Sequence, residues 1–530
     1  MPPQAGRYTA APARTAEGWA LERLTPPSRL FGANGLRTGP DGRLYVAQVS
    51  GSQVSAIDVD SGAIEVISAK GGDIVAPDDL VFDDEGNLYA TEITEGRVSV
   101  RAPNGATRVL YGDLPVANPI TFHQGRLIAG ECRPGGRIME LDRDGGAPRL
   151  IASDVPMPNA FSVGPDGKLY FPVMGANEIW RVDLAGGTPE RVAGDLGLPD
   201  SVKFDSQGFI VSTQVASGQV LRIDPRNGER TVLAQLTPGL DNLSFVGERL
   251  FVSNISGYIV ELLKDGKTRD LVPDGFNWPL GLAADPQGLL YVADGAFSYT
   301  LQPGQERQLA GMLFHPGYPG YSRGVAASGQ GEFIVTTANG AVARYRPAQQ
   351  WSEVIAEGFD QLYGVAAHGS AVAFAEFGTG RVLSAAGRNV ETLASGLRQP
   401  KGVALGADGS CYVSESGGGR VVKISGGKTQ TLIDGLRQPE GLLLRGPSLL
   451  VLDAGAQELI EIDLGKGSRR SLASGLPVGA PAGVVPKTLK AVGVLSGPMG
   501  PFAGLAAGPD GTIYLSGDAE GSVLALRPRP

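Results

Sequence analysis

The sequence predicts an all-β fold built as two tandem six-bladed β-propellers, with twelve four-stranded blades. One pattern recurs about twelve times; residues 158–181 (PNAFSVGPDGKLYFPVMGANEIWR) show it as a strand, a Pro-Asp-Gly turn, a strand, a Gly-containing link and a strand. The copies start about 40 residues apart, which is the period of a propeller blade. Gly or Asp-Gly separates the strands, as tight hairpins require. No segment shows the apolar period of a helix.

The first six repeats differ from the second six at their starting residue. In the first six this residue is always Asn or Asp: Asn34, Asp78, Asn118, Asn159, Asp200 and Asp241. In the second six it has mixed chemistry: Leu280, Arg323, Tyr363, Lys401, Glu440 and Ala503. Two rings of six blades therefore fit the pattern better than one ring of twelve.

Composition and charge exclude several classes of protein. The chain has 530 residues, a formal net charge of -9, 42% hydrophobic and 19% charged residues, which indicates a folded protein without a basic nucleic-acid face. Its two cysteines, Cys132 and Cys411, form no disulfide framework. Because a signal-peptide core and a run of 18 apolar residues are both absent, we expect a cytoplasmic protein without membrane contact. We expect a small-molecule substrate, and the oligomeric state stays open.

Ring closure decides how the two halves connect. A propeller must close, and the last repeat ends at its third strand. Residues 19–24 (WALERL) and 267–272 (KTRDLV) are outer-type strands that can complete a blade. In the tandem arrangement, residues 19–24 close the blade at 241–263 and residues 267–272 close the C-terminal blade. In the alternative, one ring is inserted into the other and residues 19–24 close the C-terminal blade.

The tandem arrangement fixes the expected domains. Residues 1–16, rich in Ala, Pro and Arg, are predicted to be a flexible tail, followed by rings at 17–265 and 266–530. The last two repeats of the second ring start 63 residues apart, and the additional residues lie within 476–500. This insertion is either a lid or inter-ring contact, or a surface excursion that packs on its own ring.

The six Asn and Asp residues predict a metal site. The innermost strand of each blade lines the axial channel, so the residues that enter these strands converge at one mouth. Three carboxylates and three amides would repel there without a compensating charge. Ca²⁺ prefers six to eight oxygen ligands, and Mg²⁺, Mn²⁺ or Zn²⁺ are alternatives. Asn and Asp also favour turns, but turn chemistry poorly explains six of six. We expect the second ring to be structural or involved in assembly.

Other polar residues lie near the same mouth. Glu92 and Glu131 end second strands and can supply an additional acid or base, with surface solvation as the alternative. Arg133 can bind an anionic group of a substrate. Cys132 lies close by in sequence, but none of the three histidines is placed beside it.

Two segments of the first half resemble the senescence-marker-protein and gluconolactonase family of calcium-dependent six-bladed propellers. Residues 158–171 (PNAFSVGPDGKLYF) are similar to the family's Pro-Asn-Gly-Leu…Ser-Pro-Asp-Gly segment. Residues 198–212 (LPDSVKFDSQGFIVS) are similar to its Pro-Asp-Gly-Met…Asp…Gly segment. The likeness covers roughly residues 17–265. Blades of the second half, with the repeated GLRQPxGV/L motif, are similar to NHL-type or virginiamycin B lyase blades.

The resemblance implies roles for individual residues. Asn159 and Asp200 would be metal ligands, and Asp200 would also be a general base. Asn118 would match a polar residue of the third blade that contacts substrate or metal. The family's first-blade ligand is a Glu, whereas this chain has Asn34, which removes a charge.

Together these observations give a set of functional hypotheses. The first is a divalent-metal-dependent hydrolase of a lactone or related ester; the alternatives are a metal-dependent lyase or isomerase acting through an enolate, and a non-catalytic binding protein with a structural cation. The predicted metal ligands are Asn34, Asn159, Asp200 and Asp241. The predicted catalytic residues are Asp200 and Glu131, and the predicted substrate-binding residues are Asp78, Asn118 and Arg133.

Overall fold

The all-β prediction is confirmed by a computed structural model that describes residues 7, 12–302, 304–387, 389–481, 484 and 487–529. Twelve four-stranded antiparallel blades account for the fold. Within the described residues the helical content is limited to three 3₁₀ turns, at Met174–Ala176, Pro347–Gln349 and Ser416–Gly418. No helix of the described residues is long and apolar enough to cross a membrane.

The chain divides into two compact units of six blades each. One unit, here called the first ring, comprises residues 29–274 together with 492–494. The other, the second ring, comprises the described parts of 1–28, 275–491 and 495–530. Two short strands precede the first ring: β1 (Arg14–Thr15) and β2 (Trp19–Arg23).

Each blade of the first ring runs from an inner strand to an outer strand in chain order. The strands are β3 (Leu36–Thr38), β4 (Leu44–Gln48), β5 (Gln53–Ile57), β6 (Ile64–Ser68); β7 (Pro77–Phe82), β8 (Leu88–Glu92), β9 (Arg97–Arg101), β10 (Thr107–Tyr111); β11 (Ala117–His123), β12 (Arg126–Glu131), β13 (Gly136–Leu141), β14 (Arg149–Val155); β15 (Ser162–Val163), β16 (Leu169–Val173), β17 (Glu178–Val182), β18 (Glu190–Ala193); β19 (Pro199–Phe204), β20 (Ile210–Gln214), β21 (Gln219–Ile223), β22 (Arg230–Gln235); β23 (Leu240–Val246), β24 (Arg249–Asn254), β25 (Ile259–Leu262) and β26 (Thr268–Val272).

The second ring repeats this plan in its first five blades. Its strands are β27 (Pro279–Ala284), β28 (Leu290–Asp294), β29 (Phe297–Leu301), β30 (Gln308–Met312); β31 (Ser322–Gly329), β32 (Glu332–Thr337), β33 (Ala341–Arg346), β34 (Trp351–Glu357); β35 (Leu362–His368), β36 (Ala371–Glu376), β37 (Arg381–Ala386), β38 (Asn389–Ala394); β39 (Pro400–Leu405), β40 (Cys411–Glu415), β41 (Arg420–Ser425), β42 (Lys428–Ile433); β43 (Pro439–Arg445), β44 (Ser448–Asp453), β45 (Glu458–Asp463), β46 (Arg469–Ser474); β47 (Leu505–Ala507), β48 (Ile513–Gly517) and β49 (Ser522–Pro528).

Apolar side chains between neighbouring blades form the core. Phe161 and Phe171 of the fourth blade are fully buried against Ile128 and Ile138 of the third blade. The two phenylalanine rings meet edge to face, with centroids 6.3 Å apart. Burying a side chain of this size stabilises the fold by roughly 1.5–3 kcal/mol, so interfaces between blades carry much of each ring's stability.

The predicted tandem closure is wrong, because the strand pairing follows the inserted alternative. β2 pairs with β49, the last strand of the chain, and Leu21 lies opposite Leu526. β26 pairs with β25 and completes the sixth blade of the first ring. The first ring is therefore complete by residue 274, and the second ring is assembled from both ends of the chain. The physical reason is that the sixth blade already obtains its outer strand from the adjacent segment, through a short hairpin at Asp265–Gly266.

The segment predicted as a flexible tail is partly ordered. Its residues 1–6 and 8–11 lie outside the described residues, but β1 pairs with β46 and extends that blade to five strands. The Arg7 guanidinium donates a hydrogen bond of 2.9 Å to the carbonyl of Asp518. These contacts cover an otherwise open sheet edge and attach the N-terminal segment to the second ring.

A disulfide tests the observed closure. We expect Leu21→Cys combined with Leu526→Cys to form a crosslink under mild oxidation, because the two residues lie opposite each other on paired strands. The measurement is mass spectrometry of peptides after proteolysis. The control pair is Leu21→Cys with Val260→Cys, which the tandem arrangement would bring together; crosslinking of this pair instead would contradict the observed pairing.

Candidate functional site

A backbone irregularity at the start of the inner strands places the mouth residues. In the second blade, Pro77 lies opposite Glu92 and Leu80 opposite Ala90, so Asp78 and Asp79 together oppose a single residue. The same register shift occurs where Asn118, Asp200 and Asp241 enter their strands. A bulge of this kind bends the strand and re-aims side chains. It accounts for polar side chains at the point where buried strands begin.

Hydroxyl groups of second strands link three of these four bulges to the next blade, through Thr91, Thr213 and Ser253. Thr91 accepts a hydrogen bond from the backbone N–H of Asp79 and donates one of 2.6 Å to the carbonyl of Asn118. In the sixth blade, Ser253 donates to the carbonyl of Asn34 at 2.7 Å. This second bond connects the last blade to the first and closes the ring around the mouth.

All six predicted mouth residues are buried, with 4–8% of their surface exposed. Two amide–carboxylate pairs connect neighbouring blades: Asn34 Nδ2 donates to Asp241 Oδ2 at 3.0 Å, and Asn159 Nδ2 donates to Asp200 Oδ2 at 2.9 Å. The Asn159 amide also contacts Met174 Sδ at 3.0 Å. The structure thus joins four of the six residues that sequence spacing assigned to one mouth, as two pairs across neighbouring blades.

The three carboxylates of the mouth disfavour each other's ionisation. Burial raises the pKa of Asp78, Asp200 and Asp241 well above the ordinary value in each case. Charge repulsion adds to this effect, because Asp241 faces Asp78, Asp78 faces Asp200, and Asp200 faces Asp241. The hydrogen bond from the Asn34 amide lowers the pKa of Asp241 and so opposes these two effects. Without a cation, these groups therefore retain protons at pH values where an exposed aspartate is ionised.

The donor chemistry of the mouth fits a hard cation. Three carboxylates converge there, and the amide oxygen of Asn118 is buried without a hydrogen-bond partner among the described residues. The amide oxygens of Asn34 and Asn159 accept backbone N–H groups, from Val49 at 3.2 Å and Ala160 at 2.9 Å. No group of three His, Cys, Asp or Glu side chains in the described residues has the spacing of a metal site. Amide oxygens would therefore have to complete the coordination of a cation.

Cys132 lies beside the same carboxylates. Burial raises the pKa of its thiol well above the ordinary value, and the charges of Asp200, Asp78 and Asp241 add to the effect. A thiol that stays protonated is a poor nucleophile. Cys132 therefore lines the site as a small apolar group. Its position beside the mouth agrees with its place in the sequence, directly after Glu131.

Glu131 is paired with both Arg133 and Arg137, so Arg133 is engaged with a carboxylate of its own blade. Glu131 is fully buried, its Oε2 accepts from Arg133 Nε at 3.0 Å, and its Oε1 accepts from Arg137 Nε at 2.9 Å. Glu92 occupies the equivalent place one blade earlier and binds the backbone N–H of Val75 at 2.8 Å. These strand-ending carboxylates hold loops in place, so Glu131 has no free oxygen for proton transfer.

Sequence reasoning missed a second layer of charge beneath the mouth, formed by Arg37, Asp79 and Lys203. Arg37 donates to the carbonyls of Leu80 at 2.9 Å and Ile120 at 3.0 Å, and its Nη2 lies 3.8 Å from Asp79 Oδ2. Burial, together with the charge of Arg37, lowers the pKa of Lys203 to about 7. Arg37 and Lys203 each follow a mouth residue by three positions, which is the sequence signal for this layer.

The pH dependence of stability tests the buried carboxylates. Because folding raises their pKa, the folded state binds more protons than the unfolded state above the ordinary aspartate pKa, so stability falls as pH rises from 5 to 8 in EDTA. We expect Asp78→Asn to weaken this fall and to raise the melting temperature at pH 8. As a control, Asp224→Asn removes a carboxylate with a lowered pKa of about 2 and leaves the response between pH 5 and 8 unchanged. Equal responses of wild type and Asp78→Asn would contradict the account.

Comparison with known proteins gives limited but specific matches. No curated protein sequence matches the chain. A streptogramin B lyase structure has 18% identity and a TM-score of 0.39, covering 52% of this chain and 94% of its own. A virginiamycin B lyase from Staphylococcus aureus has 18% identity and a TM-score of 0.38, and the match covers 52% of this chain and 96% of the lyase chain. A putative gluconolactonase has 18% identity and a TM-score of 0.39, covering 49% and 95%. At these TM-scores the likeness supports no statement about a reaction.

The family match falls on the blades that carry half of the mouth residues. Residues 121–256 match the family model described as SMP-30/Gluconolactonase/LRE-like region. This range includes Asn159, Asp200 and Asp241, together with Lys203 beneath them. The resemblance that the sequence motifs indicate is therefore confirmed for this part of the first ring.

Proposed function

We propose that the first ring is a divalent-cation-dependent hydrolase of a lactone or a related ester, with its site at the mouth of the axial channel. The observation that carries this proposal is the burial of Asp78, Asp200 and Asp241 around one point, each raising the pKa of another. The family match at residues 121–256 supports it, since the family's description names a lactonase.

The cation of this proposal is Ca²⁺, with Mg²⁺, Mn²⁺ or Zn²⁺ as alternatives. Asp200 and Asp241 would hold it with the amides of Asn34 and Asn159, after those amides turn their oxygens inward. Ca²⁺ accepts neutral amide oxygens in an irregular shell of six to eight ligands, which suits a mouth with few charges. A bound cation of this kind polarises a carbonyl group and lowers the pKa of bound water.

The protein's own groups supply binding and proton transfer. Asp200 is the proposed general base, because a carboxylate that holds the cation through one oxygen leaves its second oxygen to accept a proton. Asn118 and Asp78 are the proposed substrate contacts, and the unpartnered amide oxygen of Asn118 is a ready acceptor for a substrate hydroxyl. The surrounding buried side chains exclude bulk water and strengthen these interactions.

The lower layer of the channel favours a second candidate, a lyase or isomerase. Lys203 is buried and its pKa is lowered to about 7, so a large fraction of its amine is neutral at neutral pH. A neutral amine can remove a proton next to a carbonyl group, which elimination and isomerisation require and ester hydrolysis does not. Dependence of turnover on Lys203 as well as Asp200 would favour this reaction.

Metal analysis followed by an activity panel tests the proposal. We expect purified protein to contain about one divalent cation per chain, to lose it in EDTA, and to lose hydrolysis of lactones and esters with it. Intact turnover in EDTA would contradict the proposal. Cation binding without turnover on any lactone or ester would favour the binding-protein alternative.

An Asp200 variant tests the assignment of the base. We expect Asp200→Asn to lower kcat by about 10²–10⁴-fold, the usual contribution of a general base, with the cation retained. The matched control is Asp294→Asn, which changes a buried aspartate of the second ring with a pKa raised to about 6. It is expected to keep both cation and turnover. An Asp200→Asn protein with wild-type kcat would exclude the assignment.

A further inference from the structure

The mouth of the second ring contains a buried guanidinium, that of Arg323, for which the described residues provide no counter-ion. Arg323 has none of its surface exposed, and its Nη1 donates one hydrogen bond of 3.1 Å, to the carbonyl of Leu362. Its Nε and Nη2 have no hydrogen-bond partner within the described part of the chain. An unpaired buried charge is strongly destabilising, so this arrangement points to a missing partner.

The other charged residues of this mouth are already paired with each other. Lys401 Nζ binds Glu440 Oε1 at 2.5 Å and the carbonyl of Pro501 at 2.7 Å. The second oxygen of Glu440 accepts from the backbone N–H of Ala503 at 2.7 Å. One positive charge, that of Arg323, therefore remains without compensation at the mouth.

The surroundings of Arg323 are largely apolar and enclosed. Its guanidinium lies 4.6 Å from the ring centroid of Tyr363, and the mouth positions on either side of these two blades are Leu280 and Lys401, of which Lys401 is already paired. The end of the insertion crosses the mouth, because Gly500 approaches the Tyr363 hydroxyl and Pro501 contacts Lys401. This segment accounts for the complete burial of the site.

Below the mouth the channel is narrowed by the backbone itself. The residue after each mouth residue is glycine in all six blades, and a Cβ atom added there would lie 2.0–2.9 Å from a carbonyl oxygen of the next blade. These glycines are Gly281, Gly324, Gly364, Gly402, Gly441 and Gly504. The inner strands therefore pack backbone against backbone, and the apolar cavity of about 270 Å³ beyond them is separated from Arg323.

We propose that the second ring binds the carboxylate of a small apolar organic acid at Arg323. The two free nitrogens, Nε and Nη2, share one edge of the guanidinium, which matches the two oxygens of a carboxylate. A single negative charge compensates the single unpaired positive charge. Leu280 and the ring of Tyr363 would contact the apolar body of the acid.

Thermal stability and calorimetry of the full chain test this site. We expect butyrate and benzoate, at constant ionic strength against chloride, to raise the melting temperature of the wild type, because a ligand of the folded state stabilises it. Arg323→Met removes the charge with similar side-chain length. We expect it to weaken carboxylate binding in calorimetry by at least tenfold and, in carboxylate-free buffer, to melt no lower than the wild type.

Arg381→Met serves as the matched control. Arg381 is paired with Glu376 in the same ring at 2.6 Å, so its loss lowers the melting temperature and leaves the response to carboxylates unchanged. An equal carboxylate response in wild type and Arg323→Met would overturn the proposal. Chloride or sulfate that raises the melting temperature of the wild type as much as carboxylates do would also overturn it. A third contrary result is an Arg323→Met protein that melts at a lower temperature than the wild type in carboxylate-free buffer, together with a wild type whose melting temperature does not respond to carboxylates.

Discussion

Burial of three carboxylates at one axial point is the constraint on which the first ring's site depends. Asp78, Asp200 and Asp241 are far apart in the chain, and only closure of the ring brings them together. A bulge at the start of the inner strand turns the side chains of Asp78, Asp200 and Asp241 toward the axis, and the hydroxyls of Thr91 and Ser253 hold neighbouring blades at that level. The scaffold thereby maintains an unfavourable charge arrangement that protons or a cation can relieve.

The sequence was sufficient to predict the blades and the convergence of the mouth residues. A 40-residue period with turn signals specifies repeated hairpins, and equivalent positions in a closed ring must meet at one end. Closure was mispredicted, since an outer strand such as residues 19–23 is partly exposed and carries little pattern that selects its partner. Pairing of β2 with β49 depends on how the folded second ring brings these two strands together, which the local sequence of residues 19–23 does not encode.

Side-chain roles were harder to predict than side-chain locations. Glu131 lies at a strand end near the mouth, as its sequence position implies, yet Arg133 and Arg137 neutralise it, and ion pairs between side chains are not visible in a single sequence. Arg37 and Lys203 were missed because a charged residue inside a predicted strand suggests a side chain that faces solvent. A charged side chain on an inner strand can instead face the interior of the channel, where Lys203 is buried. The available signal was that Arg37 and Lys203 each lie three positions after a mouth residue in the sequence.

The same scaffold carries opposite charges in its two rings. The first ring collects carboxylates at its mouth, whereas the second ring presents Arg323 and closes its channel with glycine backbones. The described residues leave the charge of Arg323 uncompensated, whereas the carboxylates of the first ring retain protons when no cation is bound. On the two proposals made above, rings of one architecture would bind ligands of opposite sign, through the residues at six equivalent positions.

Proton release on cation binding tests the central claim most directly. Calcium titrated into EDTA-stripped protein, by calorimetry in buffers of different ionisation enthalpy, reports how many protons leave as the cation binds. Because the buried carboxylates retain protons in the absence of a cation, the account predicts binding at neutral pH with release of protons, and a smaller release in Asp78→Asn. Absence of binding, or binding without proton release, would contradict it.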